Sequence, residues 1–176
     1  MPSRVLVQGR PGSGKTTVVR QLAAFLRESG TPLEGFTTEE LRESGRRVGF
    51  AVESFDGERA VLAHVELPGP PRVSRYGVDL EAFEGVALPA LDRAGEDELV
   101  VVDELGKMEL ASEPFRAAVS RLFERSGPIV ATVQSARHPF TDALKRRDDV
   151  ELVTVTRSNR DELPERLAAA LSGRDP

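Results

Sequence analysis

Eight consecutive residues constrain this chain more than any others. Gly9-Arg10-Pro11-Gly12-Ser13-Gly14-Lys15-Thr16 satisfies the pattern G-x-x-x-x-G-K-[ST] in full. Val5-Leu6-Val7 precedes it, a short apolar run of the kind buried on both faces in a parallel sheet. After Lys15, the apolar residues Val18, Val19, Leu22, Ala23, Phe25 and Leu26 recur at helical spacing until Gly30 and Pro32 supply a stop. The motif therefore stands where its chemistry needs it, between a strand and the start of a helix. A polyphosphate must be met by many inward-pointing backbone N–H groups, which glycines permit at close approach, and by the positive end of a helix. Lys15 adds a cation for the β and γ phosphates, the Thr16 hydroxyl is a magnesium ligand, and Thr17 adjoins them. The competing reading is an ordinary glycine-rich turn, and four specified positions match by accident on the order of 1% of the time in a chain of this length.

Beyond the loop, strand and helix signals alternate. Segment 46–65 has alternating Val48, Phe50 and Val52, then Asp56-Gly57, then a second extended run, which predicts an antiparallel hairpin inserted after the second strand. Asp79 is placed to cap a helix carrying Leu80 and Phe83, and Pro89 predicts the opening of a second helical piece. Leu99-Val100-Val101-Val102 reads as another buried parallel strand. Ser112 caps a helix with Phe115, Ala118, Val119, Leu122 and Phe123 on one stripe, closed by Gly127. Strands at 128–133 and 150–155, a short helix at 140–147 and a last helix with Leu163, Leu167, Ala170 and Leu171 complete the chain. This alternation predicts an α/β sandwich around a mainly parallel sheet, folded as a single domain over residues 1–176.

Asp103-Glu104 follows the apolar run of 99–102, where an acid that holds magnesium through water belongs. A second carboxylate beside a metal ligand is placed to orient or deprotonate an attacking water, so Glu104 is the candidate general base, with Lys15 as its catalytic companion. Taken alone, the pair also reads as an acidic strand end capping a turn, and the upstream loop tips the balance. Asp103-Glu104-Leu105-Gly106 also fits D-x-x-G, in which the Gly106 N–H senses a γ-phosphate. Guanine recognition would then call for Asn-Lys-x-Asp, yet the only asparagine, Asn159, is followed by Arg160-Asp161. Leu171-Ser172-Gly173 resembles the start of a transporter-ATPase signature, at a position with no room for that fold. Arg137, Arg157 and Arg160 follow predicted strands and are candidates to neutralise a γ-phosphate, each with a plain surface role as the alternative. Lys145-Arg146-Arg147 reads as a solvated helix end balanced by Asp148-Asp149, and His64 and His138 as structural.

The chain carries 24 basic and 29 acidic residues, a net charge of −5, the opposite of what duplex-binding domains show. It has no cysteine, which removes disulfides and thiolate chemistry. Met1-Pro2-Ser3-Arg4 runs into only three apolar residues, short of a signal peptide, and no run approaches the ~20 residues of a membrane span. The expectation is a soluble, cytoplasmic monomer whose partners are nucleoside triphosphates rather than nucleic acid or membrane.

The motif residues 9–16 together with Gly35-Phe36-Thr37-Thr38-Glu39-Glu40, Arg46-Arg47-Val48-Gly49-Phe50, Tyr76-Gly77-Val78-Asp79, Asp103-Glu104-Leu105-Gly106-Lys107-Met108-Glu109-Leu110 and Asn159-Arg160 resemble the cancer-related and thermophilic nucleoside-triphosphatase family. The resemblance runs from Arg4 to about Leu171, and 103–110 is its most specific part. Leu105 departs from the isoleucine expected in many members, without consequence for the chemistry. The resemblance implies a three-layer P-loop NTPase sandwich, RecA-like and of the additional-strand type, with the strand after Gly127 lying between the phosphate-loop strand and the Asp103 strand. It also implies slow, Mg2+-dependent hydrolysis of several nucleoside triphosphates, ATP and GTP both accepted, with nucleotide held by Gly9 to Thr16 and by the stretch ending at Gly106. The rival reading is a kinase passing the γ-phosphate to a nucleoside, nucleotide or polynucleotide 5′-hydroxyl. A third is a nucleotide-dependent switch timed by slow hydrolysis.

Overall fold

The computed structural model describes residues 3–172, so Met1, Pro2 and the Gly173 of the transporter-like tripeptide lie outside the described residues. Among the described residues one sheet of nine strands runs in the order β5-β6-β4-β3-β2-β7-β8-β1-β9. The strands are β1 (Arg4–Gly9), β2 (Leu33–Glu43), β3 (Arg46–Ser54), β4 (Arg59–His64), β5 (Arg72–Val73), β6 (Tyr76–Val78), β7 (Leu99–Leu105), β8 (Ile129–Gln134) and β9 (Val150–Thr154). The helices are α1 (Lys15–Glu28), α2 (Leu80–Asp92), α3 (Glu113–Glu124), α4 (Pro139–Lys145) and α5 (Leu163–Leu171). β8 lies between β1 and β7, the additional-strand order.

Side chains of successive strand residues point to opposite faces, and that period of two divides the core. Val5 and Val7 of β1 pack with Leu99 and Val101 of β7 beneath Val18, Leu22 and Leu26 of α1 and Leu163 and Leu167 of α5. Leu6, Val100 and Val102 face the other way, toward Phe83 of α2 and Phe115, Val119 and Phe123 of α3. The second layer is anchored by three aromatic rings: Phe36 lies 5.7 Å from Phe83 and 5.8 Å from Phe115, and Phe83 lies 4.9 Å from Phe115. Such tilted and edge-on pairs suit the ring quadrupoles.

The inserted hairpin is present as β3–β4, joined to the parallel core by the long β2. The first part of β2 pairs parallel with β7 over Leu33 to Phe36, and its remainder pairs antiparallel with β3. Gly35 permits that switch: its φ is +109°, and a Cβ there would stand 1.9 Å from the Val101 carbonyl oxygen. β2 thus reaches from the core to the hairpin and carries Thr38 and Glu39 past the phosphate loop.

Three expectations are corrected. Pro89 does not open a second helical piece; it sits inside the continuous α2. It occupies the exposed face of that helix, while Val86, Ala87, Ala90 and Leu91 are buried on both sides of it, and their burial offsets the roughly 3 kcal/mol that an interior proline costs. Phe25, counted on the apolar stripe of α1, is 43% exposed, because it lies beyond the face that Leu22 and Leu26 bury. Lys145 is not a solvated helix end: it is partly buried and its Nζ donates to the Gln134 carbonyl at 2.9 Å. Arg147, by contrast, is balanced as expected, with Nε and Nη2 on Asp149 at 2.8 and 3.0 Å.

Candidate active site

The phosphate-loop sequence folds as a tight turn from β1 into α1. Gly12 and Gly14 have φ of +78° and +101°, conformations that side-chain-bearing residues rarely adopt. Gly9 has a different reason to be glycine, since a Cβ there would stand 2.2 Å from Ser13 Oγ and 3.1 Å from Lys15 Cγ. Gly14 is the N-cap of α1 and makes no side-chain cap, so the first-turn N–H groups of the helix have no side-chain partner there. This is a concave array of donors at the positive end of a helix, suited to an anion.

Lys15 is 6% exposed, and its ammonium donates to the Gly9 carbonyl at 2.9 Å and to Gln134 Oε1 at 3.3 Å. It also stands 3.7 Å from Glu104 Oε2. Thr16 Oγ1 donates to Asp103 Oδ1 at 3.2 Å, which joins the first turn of α1 to β7.

Asp103 and Glu104 belong to β7 itself, which continues to Leu105 rather than ending at Val102, and the peptide between them is cis. The β7–β8 register shifts between Val102 and Leu105, where the two carboxylates stand. Asp103 is fully buried; Thr132 Oγ1 donates to its Oδ1 at 2.7 Å and the Thr38 N–H approaches Oδ2 at 3.5 Å. Burial lifts its carboxyl to about 6, Glu104's charge adds to the rise, and the threonine hydrogen bonds oppose it. Among the described residues no ammonium or guanidinium pairs with Asp103. A buried carboxylate beside a threonine hydroxyl, without a cationic side chain, is a hard oxygen pair that fits a magnesium ion.

Glu104 is partly buried and takes both of its hydrogen bonds from Gln134 Nε2, at 2.8 Å to Oε1 and 2.9 Å to Oε2. Gly106 gives these groups room: a Cβ there would stand 2.8 Å from Glu104 Oε1 and 2.9 Å from Glu109 Oε2. A side chain there would have to displace one of the two carboxylate ends. Glu109 is 4% exposed, and burial together with Glu104's charge holds its carboxyl well above the usual range.

These groups open on a cavity of about 880 Å3 that runs from the loop past Glu104 and Glu109 to Phe50 and Tyr76 of the hairpin strands. A second depression of about 520 Å3 lies on the β9 side of the loop and is lined by Thr156, Arg157 and Arg160. The three candidate arginines therefore separate. Arg137 borders the first cavity, 90% exposed and 3.4 Å from Asp142, whereas Arg157 and Arg160 flank the loop from the opposite side. Both histidines make local backbone contacts: His138 Nδ1 accepts from Phe140 N at 3.1 Å to cap α4, at the border of the first cavity, and His64 Nδ1 accepts from Glu66 N at 3.1 Å. Among the described residues no group of three His, Cys, Asp or Glu side chains is arranged to hold a metal, so an ion here would draw most of its ligands from phosphate and water.

Sequence reasoning missed Thr38, Glu109, Thr132 and Gln134. For the last two a signal was present. The strand Ile129-Val130-Ala131-Thr132-Val133-Gln134 places two polar residues on one face of an otherwise apolar, buried strand. Polar groups in such a place need partners, and here the partners are the two carboxylates of β7.

Comparison with known proteins agrees with this geometry. The family model described as NTPase matches residues 4–168. The chain is 40% identical over 169 residues to nucleoside-triphosphatase THEP1 of Thermotoga sp. strain RQ2, covering 96% of this chain and 95% of the relative. It is 40% identical over 177 residues to the human cancer-related nucleoside-triphosphatase, covering 93% of each. Among solved structures, the crystal structure of THEP1 from the hyperthermophile Aquifex aeolicus superposes with a TM-score of 0.85 at 30% identity, covering 96% of this chain and 98% of that one. The solution structure of the human cancer-related nucleoside triphosphatase gives a TM-score of 0.83 at 37% identity over 98% and 99% of the two chains. With its additional strand between β1 and β7, its phosphate loop and this extent of similarity, the chain belongs to the NTPase family.

Proposed function

We propose that this chain hydrolyses nucleoside triphosphates, ATP and GTP among them, to the diphosphate and orthophosphate. The observation that carries the reading is the convergence of Lys15, Thr16 and the Glu104 carboxylate on one cavity at the N-terminus of α1, with Asp103 buried behind Thr16 and hydrogen-bonded to it. The loop N–H groups and Lys15 bind the phosphates, and Arg10 to Thr17 line the trough. Thr16 and Asp103 would hold Mg2+, which supplies charge neutralisation on the phosphate oxygens. Glu104 takes a proton from water as the water oxygen bonds to the γ-phosphorus. The bond to the bridging oxygen breaks, and its electron pair leaves with the diphosphate.

Water as acceptor is supported by the similar proteins, which are named nucleoside-triphosphatases and not transferases. Loose base selectivity is supported by Asn159, whose side-chain amide folds its own loop. Its Oδ1 accepts from Thr156 N and its Nδ2 donates to the Thr154 carbonyl, both at 2.8 Å. Both ends of the amide are thereby engaged within the loop. The nine-stranded sheet is read as one domain, and the net charge of −5 supports free nucleotides over nucleic acid as partners of a cytoplasmic monomer. No helix among the described residues is long and apolar enough to cross a membrane.

Phosphate release from ATP, GTP, CTP and UTP, with and without Mg2+, tests the reading. Comparable magnesium-dependent turnover of all four is expected. Magnesium-independent turnover, or restriction to one base, would contradict it.

A further inference from the structure

Lys107-Met108-Glu109-Leu110 follows Gly106, and the fold treats one of these residues differently from the rest. Met108 packs against the core, and Glu109 and Leu110 are each 4% exposed. The turn itself is fastened: the Leu110 N–H donates to the Gly106 carbonyl at 2.9 Å, and the Arg116 guanidinium donates to the Leu110 carbonyl. Lys107 is exposed, and it lines the same cavity as Lys15, Thr16 and Glu104. Its neighbour Gly106 stands against the base, since a Cβ there would lie 2.8 Å from Glu104 Oε1. Although Glu104 and Glu109 flank it in sequence, the Lys107 ammonium has no ion pair and no hydrogen-bond partner among the described residues.

The other cations near the loop are committed or placed elsewhere. Arg47 is fixed by the Tyr76 hydroxyl at 2.9 Å and by Glu40 Oε1 at 3.1 Å, and Arg137 faces Asp142 at 3.4 Å. Arg157 and Arg160 line the depression on the β9 side, and Arg10 borders both depressions rather than the Glu104 side alone.

We propose that Lys107 is a catalytic residue of the hydrolysis, its ammonium contacting the γ-phosphoryl oxygens from the β7 side while Lys15 contacts the phosphates from the loop. The proposal rests on the reading that water attacks the γ-phosphate beside Glu104. In phosphoryl transfer the charge is spread over the three equatorial oxygens of the group in flight, and catalysis is mostly positioning and charge stabilisation. A cation on an anchored turn, with no partner to give up first, meets that charge with little reorganisation. Lys107 exchanges no proton: the proton of water goes to Glu104, and the electron pair of the bridging bond leaves with the diphosphate. The plainer alternative is a solvated lysine that only draws anions toward the cavity, and it acts on binding instead of on the chemical step.

The test uses Lys107→Met, which keeps the length and removes the charge, and Lys107→Arg, which keeps the charge, with Glu104→Gln beside them. Single-turnover release of γ-labelled phosphate from Mg-ATP is measured. So are the affinities for a non-hydrolysable ATP analogue and for Mg-ADP with aluminium fluoride, a mimic of the phosphoryl group in flight. Lys107→Met is expected to cleave about 100-fold more slowly, the loss when one group aimed at transition-state charge is removed. Its affinity for the aluminium fluoride complex should fall by a similar factor, while analogue affinity stays within about threefold of wild type. Lys107→Arg should recover to within about tenfold of the wild-type rate, because its charge is kept and its geometry is not. A wild-type rate in Lys107→Met, with Glu104→Gln slow, would overturn the proposal and leave the base assignment standing. Equal losses of affinity for the analogue and the aluminium fluoride complex would also overturn it, as the mark of a lysine that only steers anions. So would an arginine variant as slow as the methionine one. Wild-type rates in both Lys107→Met and Glu104→Gln would remove the hydrolytic reading of this site as well.

Discussion

Replacing Asp103 by asparagine is expected to stabilise the folded chain at neutral pH while removing its use of magnesium. Asp103 is fully buried, and its carboxyl is lifted from 3.8 to about 6, chiefly by burial. Because the folded value exceeds the unfolded one, the native chain binds this proton more tightly, and stability falls as pH rises from about 4 to about 6. Above that window the ionised carboxylate costs roughly 3 kcal/mol relative to an uncharged group. Asparagine keeps an oxygen acceptor for the Thr132 and Thr16 hydroxyls, but those bonds lose charge assistance worth about 1 kcal/mol. The net gain is about 2 kcal/mol, or a rise in Tm of roughly 4–8 °C for a domain of this size. Thermal melts of wild type and Asp103→Asn at pH 7.5 and 4.5, without nucleotide or magnesium, measure it. The gain is expected at pH 7.5 and should shrink by more than half at pH 4.5, where wild-type Asp103 is already protonated. A variant no more stable than wild type at pH 7.5, or equally stabilised at both values, would refute the assignment of a raised, burial-driven carboxyl.

Lys15→Ala removes the buried ammonium from the loop and is expected to weaken Mg-ATP binding by about 10- to 100-fold, the worth of a charge-assisted hydrogen bond, and to lower turnover as well. Equilibrium titration and phosphate release check both parts. Gly106→Ala sets a Cβ against the Glu104 and Glu109 oxygens, and a displacement of that kind should cost about 10- to 100-fold in kcat with little change in nucleotide affinity. Gly35→Ala meets the Val101 carbonyl in a left-handed conformation at the β2–β7 junction, and urea denaturation should show a loss of more than about 2 kcal/mol.

Much of the fold is legible in the sequence because a parallel sheet covered on both faces imposes local rules. Val5-Leu6-Val7 and Leu99-Val100-Val101-Val102 must be apolar on both sides, and the helices must show one apolar stripe, so α1 and α3 announce themselves. The loop is legible because its glycines and its Lys15-Thr16 pair answer a local demand for backbone approach and charge. What periodicity does not carry is which polar atom meets which across the sheet. Gln134 and Thr132 read as strand residues until β8 is placed beside β7, and Lys145 reads as a solvated cation until α4 folds back on the end of β8. Pro89 shows the reverse case, a local breaking signal overruled by the apolar face that continues past it.

The most direct test of the account is single-turnover cleavage of γ-labelled ATP by wild type and Glu104→Gln, in the presence of Mg2+ and a panel of nucleoside and 5′-hydroxyl polynucleotide acceptors. Wild type is expected to release all label as free phosphate. Glu104→Gln should bind the nucleotide normally and cleave it about 100-fold or more slowly, the contribution of a positioned general base. Label transferred to an acceptor, or equal cleavage rates in the two proteins, would contradict the assignment of Glu104 as the residue that activates water.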